Sequence, residues 1–173
     1  MTAENEAPTA TNTDQTVEFA EDASATTLTS IVVSENDSIQ ASTDTTTASD
    51  ETTDETVSVS IVLSDSSAGS FSADTGSGES FSSGTWSISD VSVTTANTAL
   101  ASLTYTPAEN YDKDASATIT VEDADGLTLT DTIVLDVTPE NEAPTATNTD
   151  QTVEFAEDAS ATTLTTIVVS END

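Results

Sequence analysis

Apolar residues in this chain fall mostly at every second position over short runs. They almost never recur at the three-to-four-residue spacing of a helix face. The clearest run, Val57–Leu63 (VSVSIVL), alternates throughout and reads as a strand with one buried face. Val17–Ala20 reads as a short first strand, and Thr27–Ser34 as a second with Leu28, Ile31 and Val33 directed inward. Phe71, Phe81, Trp86 and Ile88 fall on shorter strands between glycine-rich turns. Leu103–Thr106 precedes Pro107, and Ala117–Val121 and Leu127–Val137 complete the set. Thr94–Ala101 (TTANTALA) is the one stretch suited to a helical turn or two. Ser38–Glu55 has almost no large apolar side chain and predicts an exposed loop. About seven short strands with turns between them make a sandwich or a barrel. Trp86 is expected in its core, and the serine- and threonine-rich faces are expected on solvated β surface.

A repeat overlies this pattern. Glu4–Asp37 and Glu140–Asp173 are the same 34 residues apart from Ser30, which becomes Thr166; their first residues, 4 and 140, set a period of 136. Identity of that length at a domain-sized spacing means tandem duplication. The reading that follows is one complete repeat over 4–139, with 140–173 as the linker and first strands of its successor. About two strands are too few to fold independently. Met1-Thr2-Ala3 stands where Val137-Thr138-Pro139 precedes the second copy, so the first copy is expected to have been cut from a longer array. Those first residues have neither the basic nor the apolar region of a signal peptide.

Charge narrows the possible partners. There are 33 acidic residues and a single base, Lys113, giving a formal net charge of -32. Nucleic acid and anionic membrane surfaces both require clustered Lys and Arg, so neither is an expected partner, and no apolar stretch is long enough to insert in a membrane. The chain is expected to be monomeric, with neighbouring identical repeats as its partners. Without Cys or His there are no thiolate or imidazole ligands, and a Ser nucleophile lacks its usual base. An enzyme is not expected. The acidity itself has two readings: a solvated, mutually repelling surface, or ligation of a hard divalent cation, for which carboxylate oxygens select Ca2+.

Three segments carry a resemblance. Asn97–Asp125 (NTALASLTYTPAENYDKDASATITVEDAD) resembles the N-x-A-L-x-x-L-x-Y-x-P … N-Y and T-x-T-V-x-D pattern of cadherin-like repeats in giant RTX adhesins. Asn141-Glu142-Ala143-Pro144 is similar to their N-D-x-P linker, with Glu142 in place of Asp. Val17–Asp37 looks like the first two cadherin-type strands, with Glu21 and Asp22 after one and Glu35 and Asp37 after the other. Lys113 between Asp112 and Asp114 resembles the acidic-basic-acidic cadherin motif, with Asp for the final Glu. The resemblance implies an all-β, Ig/cadherin-like antiparallel β-sandwich with calcium at the junctions. It also implies presentation on a bacterial cell surface after type I secretion, in the setting of cell adhesion and biofilm.

Strand direction places the acidic groups without reference to a family. If the first strand runs from the end where the chain enters to the opposite end, Glu21 belongs at that far pole. The last strand must also run toward it, so Asp112 and Asp114 precede the penultimate strand there, and Glu140, Asn141 and Glu142 follow the last one. Asp173, the copy of Asp37, would face them from the next repeat. Asn5, Glu6, Glu35, Asp37, Asp123 and Asp125 belong at the near pole, although Asp125-Gly126 reads equally well as a plain hairpin turn. These two groups are the candidate calcium ligands. The function expected is a structural extender in a long bacterial surface adhesin, rigidified by calcium and holding a distal binding region away from the cell. The alternative is a carbohydrate- or surface-binding module.

Overall fold

A computed structural model describes residues 6–35 and 56–171 of the chain. The Ser38–Glu55 stretch read as a loop lies outside them. The chain divides into two compact units, Met1–Pro139 and Glu140–Asp173.

The described part of unit 1 contains eleven strands and one helix. In chain order the first strands are β1 (Thr9–Thr11), β2 (Thr16–Ala20), β3 (Thr26–Thr27), β4 (Val32–Ser34), β5 (Thr56–Leu63), β6 (Gly69–Ser72), β7 (Ser80–Ser82) and β8 (Thr85–Ser92). Helix α1 (Val93–Ala101) follows, then β9 (Thr104–Pro107), β10 (Ala115–Asp123) and β11 (Thr128–Thr138). Six strands form one sheet in the order β2-β11-β10-β5-β8-β7, three form a second in the order β3-β9-β6, and β1 pairs with β4. The fold is an all-β sandwich.

The alternation that marks these strands in the sequence decides which face is buried. Val57, Val59, Ile61 and Leu63 of β5 point inward, as do Ala115, Ala117, Ile119 and Val121 of β10 and Ile133, Leu135 and Val137 of β11. Each large aliphatic side chain buried this way is worth about 1.5–3 kcal/mol. Trp86 is buried, as its sequence context suggested. Three rings link the two sheets: Phe19 from β2 and Phe71 from β6 each lie 5.2 Å, centroid to centroid, from Tyr105 of β9.

The structure divides the predicted strand Thr27–Ser34. Its apolar positions, 28, 31 and 33, are not evenly spaced by two, so one continuous pleat cannot bury all three. The chain pairs with β9 at Thr26–Thr27, breaks, and pairs with β1 at Val32–Ser34. Side-chain amides bridge the break. The Gln15 amide donates to the Thr29 carbonyl over 2.9 Å and accepts from the Thr29 N–H over 2.8 Å, and the Asn12 amide donates to the Ser30 carbonyl. β4 is completed similarly from the helix. Asn97 of α1 accepts from the Val33 N–H over 2.8 Å and donates to its carbonyl over 2.9 Å. The helix itself starts at Ser92, whose hydroxyl caps the Thr95 N–H.

Unit 2 contains β12 (Thr145–Thr147) and β13 (Val168–Ser170), paired in the same register as β1 and β4.

Candidate metal-binding site

The far pole of unit 1 is set by β2 and β11. They are parallel neighbours, with Ala20 opposite Thr138, so both end there. Glu21 follows β2; its N–H donates to the Thr138 carbonyl, and its side chain is buried. Asp22, at φ 58, turns the chain, and its carboxylate accepts from the Asn110 N–H over 2.8 Å. Asp114 immediately precedes β10 and accepts from the Val137 N–H over 3.0 Å. Asp112 is exposed two residues earlier.

Asp65, which the sequence reading passed over, belongs to the same pole. It follows β5, whose last residue, Leu63, pairs with Ala117 near the start of β10. The hydroxyl and N–H of Ser67 hold its carboxyl below the usual range against the opposing effect of burial. Tyr111 and the charge of Lys113 add to the lowering. Burial raises the Tyr111 phenol, and the carboxylates of Asp65, Asp112 and Asp114 raise it further; the hydroxyl donates to Asp65 over 3.5 Å. No local motif announces Asp65; only the end of an alternating strand places it.

At the other end, β10 and β11 form a hairpin. Asp123 is buried, and one of its carboxylate oxygens accepts from the N–H groups of Asp125 and Leu127 at 2.9 and 2.8 Å. Gly126, at φ 90, completes the turn, and its N–H donates to the Asp123 carbonyl. Asp125-Gly126 is therefore a turn, and Asp123 is the residue that organises it. Glu35 follows β4 and Glu6 precedes β1, so the pairing of Thr9 with Ser34 leaves both at one end of that ribbon. Asn5, Asp37 and Asp173 lie outside the described residues. In unit 2, the Asn141 amide donates to the Glu142 carbonyl, and Glu140 precedes them in the same non-strand segment.

Four of these carboxylates, Asp22, Asp65, Asp114 and Asp123, accept from backbone N–H groups. Among the described residues no three acidic side chains are grouped closely enough to hold a metal ion. Calcium takes six to eight oxygens, so the described residues do not by themselves provide a calcium cage. A half-open hollow of ≈ 250 Å³ lies elsewhere, lined by Phe71, Asp74, Glu79, Phe81 and Trp86 among others. Among the described residues, no helix is long and apolar enough to cross a membrane.

No family model matches the chain, and no curated protein matches it. Among solved structures it is similar to extracellular cadherin domains 1–4 of protocadherin gamma B7, with 14% identity over 96% of this chain and 33% of that one (TM-score 0.39). It is similar to cadherin domains 3–6 of protocadherin gamma B2, with 15% identity over 86% of this chain and 29% of that one (TM-score 0.40). It is also similar to titin domains z1z2 in complex with telethonin, with 18% identity over 83% of this chain and 54% of that one (TM-score 0.35). The chain thus spans about a third of the length of the protocadherin chains it resembles.

Proposed function

We propose that unit 1 is a spacer repeat of a long extracellular adhesion protein on a bacterial cell, joined in series to near-identical copies of itself. One observation carries the reading. The first long edge strand and the last strand of the unit, β2 and β11, run parallel, so the chain enters at one end of the sandwich and leaves at the other. A module built this way adds its length to an array. β11 has eleven residues, which at ~3.3 Å each gives about 36 Å per module. The 34-residue identity at a period of 136 supports the same reading, because repetition adds reach without adding new chemistry. Calcium is part of the proposal at the junctions. The carboxylates of Glu21, Asp65, Asp112 and Asp114 at the far pole would need further oxygens from the linker Glu140–Glu142 and the next repeat.

The test is a tandem array of two or more complete 136-residue repeats, studied by small-angle scattering with calcium and with chelator. The proposal requires maximum dimension to rise nearly in proportion to repeat number in calcium, and a broader distance distribution after chelation. A folded array whose distribution ignores calcium would remove the metal from the proposal. A maximum dimension that does not grow with repeat number would remove the spacer.

A further inference from the structure

We propose that the hollow between β6 and the β7–β8 hairpin binds the terminal ring of a neutral glycan. Its walls come from both sheets. Phe71 stands on β6, the outermost strand of the three-stranded sheet, and Phe81 on β7, the outermost strand of the six-stranded sheet. Trp86 lies directly across from Phe81 in the β7–β8 register, so the two rings share the inward face of that sheet. That face is closed over Trp86 and Phe71, each 1% exposed, but open at Phe81, which is 42% exposed. At this edge the sandwich leaves a half-open gap of ≈ 250 Å³ where core would otherwise continue. Asp74 and Glu79, from the connection between β6 and β7, complete the lining.

Each wall asks something different of a ligand. Among the described residues the Trp86 indole N–H is buried without a hydrogen-bond partner. Buried donors are rarely left so, and one on a residue that lines a hollow calls for an acceptor oxygen. The nitrogen is covered, so the ligand oxygen meets it as the exposed Phe81 ring turns outward. Asp74 accepts from the Gly76 N–H through one carboxylate oxygen over 3.3 Å, and its other oxygen can take a hydroxyl donor. Glu79 braces the connection, accepting from the N–H groups of Thr75 and Ser77 at 3.0 and 2.9 Å. Two carboxylates on a chain of net charge -32 exclude an anion. A quaternary ammonium would satisfy the rings and the carboxylates but would bring no acceptor to the indole N–H. A hydrocarbon would satisfy neither polar group. A sugar ring meets all three demands: an oxygen accepts from Trp86, a hydroxyl donates to Asp74, and the C–H face covers Phe81. The volume lies below the about 300–1,000 Å³ of sites for drug-sized ligands, which limits the hollow to a single ring. The half-open side leaves the rest of the glycan outside. Neither calcium nor an array is needed for this binding.

Trp86 is the one tryptophan of the chain, so a single indole N–H signal reports on the site. The nitrogen-15-labelled full chain would be titrated in chelator with the methyl glycosides of glucose, galactose, mannose and N-acetylglucosamine, followed by nuclear magnetic resonance. The expected result is that at least one of them moves the indole proton downfield along a saturable curve. Phe81→Ala and Asp74→Ala should each weaken that binding by about tenfold, since each removes one contact of about that worth. Both positions are exposed, so the fold should persist, which thermal melting would verify. An indole signal that none of the glycosides moves overturns the proposal. So does a shift produced by tetramethylammonium and by none of the glycosides, or by the free sugars and not their glycosides. Affinity unchanged in both variants overturns it as well.

Discussion

The Tyr105 hydroxyl donates to the carbonyl oxygen of Ala68 over 2.6 Å, deep in the sandwich and 37 residues away in sequence. That carbonyl also accepts from the Ala108 N–H, so one oxygen ties the turn after β5 to the chain beyond β9. Burial, with smaller contributions from Tyr111 and Asp65, pushes the phenol up to about 12. A raised phenol stabilises the fold below its ordinary value near 10, and that contribution is lost as pH climbs from 10 to about 12. Tyr105→Phe should cost about 1 kcal/mol at neutral pH. It should also flatten the alkaline decline, measured by thermal melts between pH 8 and 12. A decline of unchanged steepness would assign it to another group.

Gly69 is packed against the same hydroxyl. A methyl group placed there would collide with the Thr106 carbonyl and meet the Tyr105 hydroxyl at 2.8 Å, and its φ of +152° is unfavourable for other residues. Backbone cannot yield as a flexible side chain can. Gly69→Ala should therefore destabilise unit 1 more than Tyr105→Phe does, by about 2–3 kcal/mol in urea titration. A loss below that of Tyr105→Phe would mean that the β6–β9 edge relaxes.

Asn97→Ala removes both hydrogen bonds to the Val33 backbone. Val33 is buried, so its N–H and carbonyl would lose partners that water cannot readily replace. The expected loss is about 2–4 kcal/mol, combining two abandoned groups at about 1–3 kcal/mol each with partial relaxation. Hydrogen exchange should show the Val33 amide opening earlier than the amides of β5 and β10. Uniform acceleration across all three strands would contradict a local role.

Glu79 closes a small loop with Thr75 and Ser77. Burial works to raise its carboxyl, but hydrogen bonds from the Thr75 hydroxyl, its own N–H and the Thr75 and Ser77 N–H groups prevail and hold it at about 2. A depressed carboxyl stabilises above its ordinary value of 4.5, and that contribution disappears as pH falls to about 2. Carbon-13 titration of the Glu79 carboxyl should give a midpoint near 2. In Glu79→Gln the loop should no longer respond to pH over that window. A midpoint close to 4.5 would show that the loop is open in solution.

Calcium, if it acts at the far pole, should distinguish among carboxylates. Asp112 is exposed, so Asp112→Asn should leave the melting temperature in chelator unchanged. It should reduce the rise produced by calcium in a tandem array. Extracellular sites bind at roughly 10⁻⁴–10⁻³ M, and one site at about 100 Kd contributes about 2.7 kcal/mol. Asp44→Asn, in the polar stretch 38–55, should leave that rise intact. Equal effects from the two substitutions would point to bulk charge.

The sandwich was legible wherever side chains alternate, because alternation is the burial pattern itself. Val57–Leu63 became β5, and Thr94–Ala101 became the core of α1. β1 was not legible: Thr9-Ala10-Thr11 has no large apolar residue and forms only because β4 lies alongside it. The break between β3 and β4 was visible in principle as the three-residue step from Leu28 to Ile31. The amides that bridge it, Gln15 and Asn12, and Asn97, which completes β4, belong to contacts 14, 18 and 64 residues apart and leave no local trace. The carboxylates show the same division. Strand direction places Glu21 and Asp114 at one end, but that Asp114 accepts from the Val137 N–H of β11 depends on register.

The parallel pairing of β2 with β11 also determines how unit 1 responds to tension. A pull through the chain is applied at the beginning of β2 and at the end of β11, which are opposite ends of the paired stretch from Thr16–Val134 to Ala20–Thr138. Force along that axis slides the two strands past each other and loads their hydrogen bonds together. An antiparallel pair pulled from one shared end would open one bond at a time. The outermost strand of the sheet is thus the mechanical clamp of the unit, and its rupture force should exceed what its thermodynamic stability alone suggests.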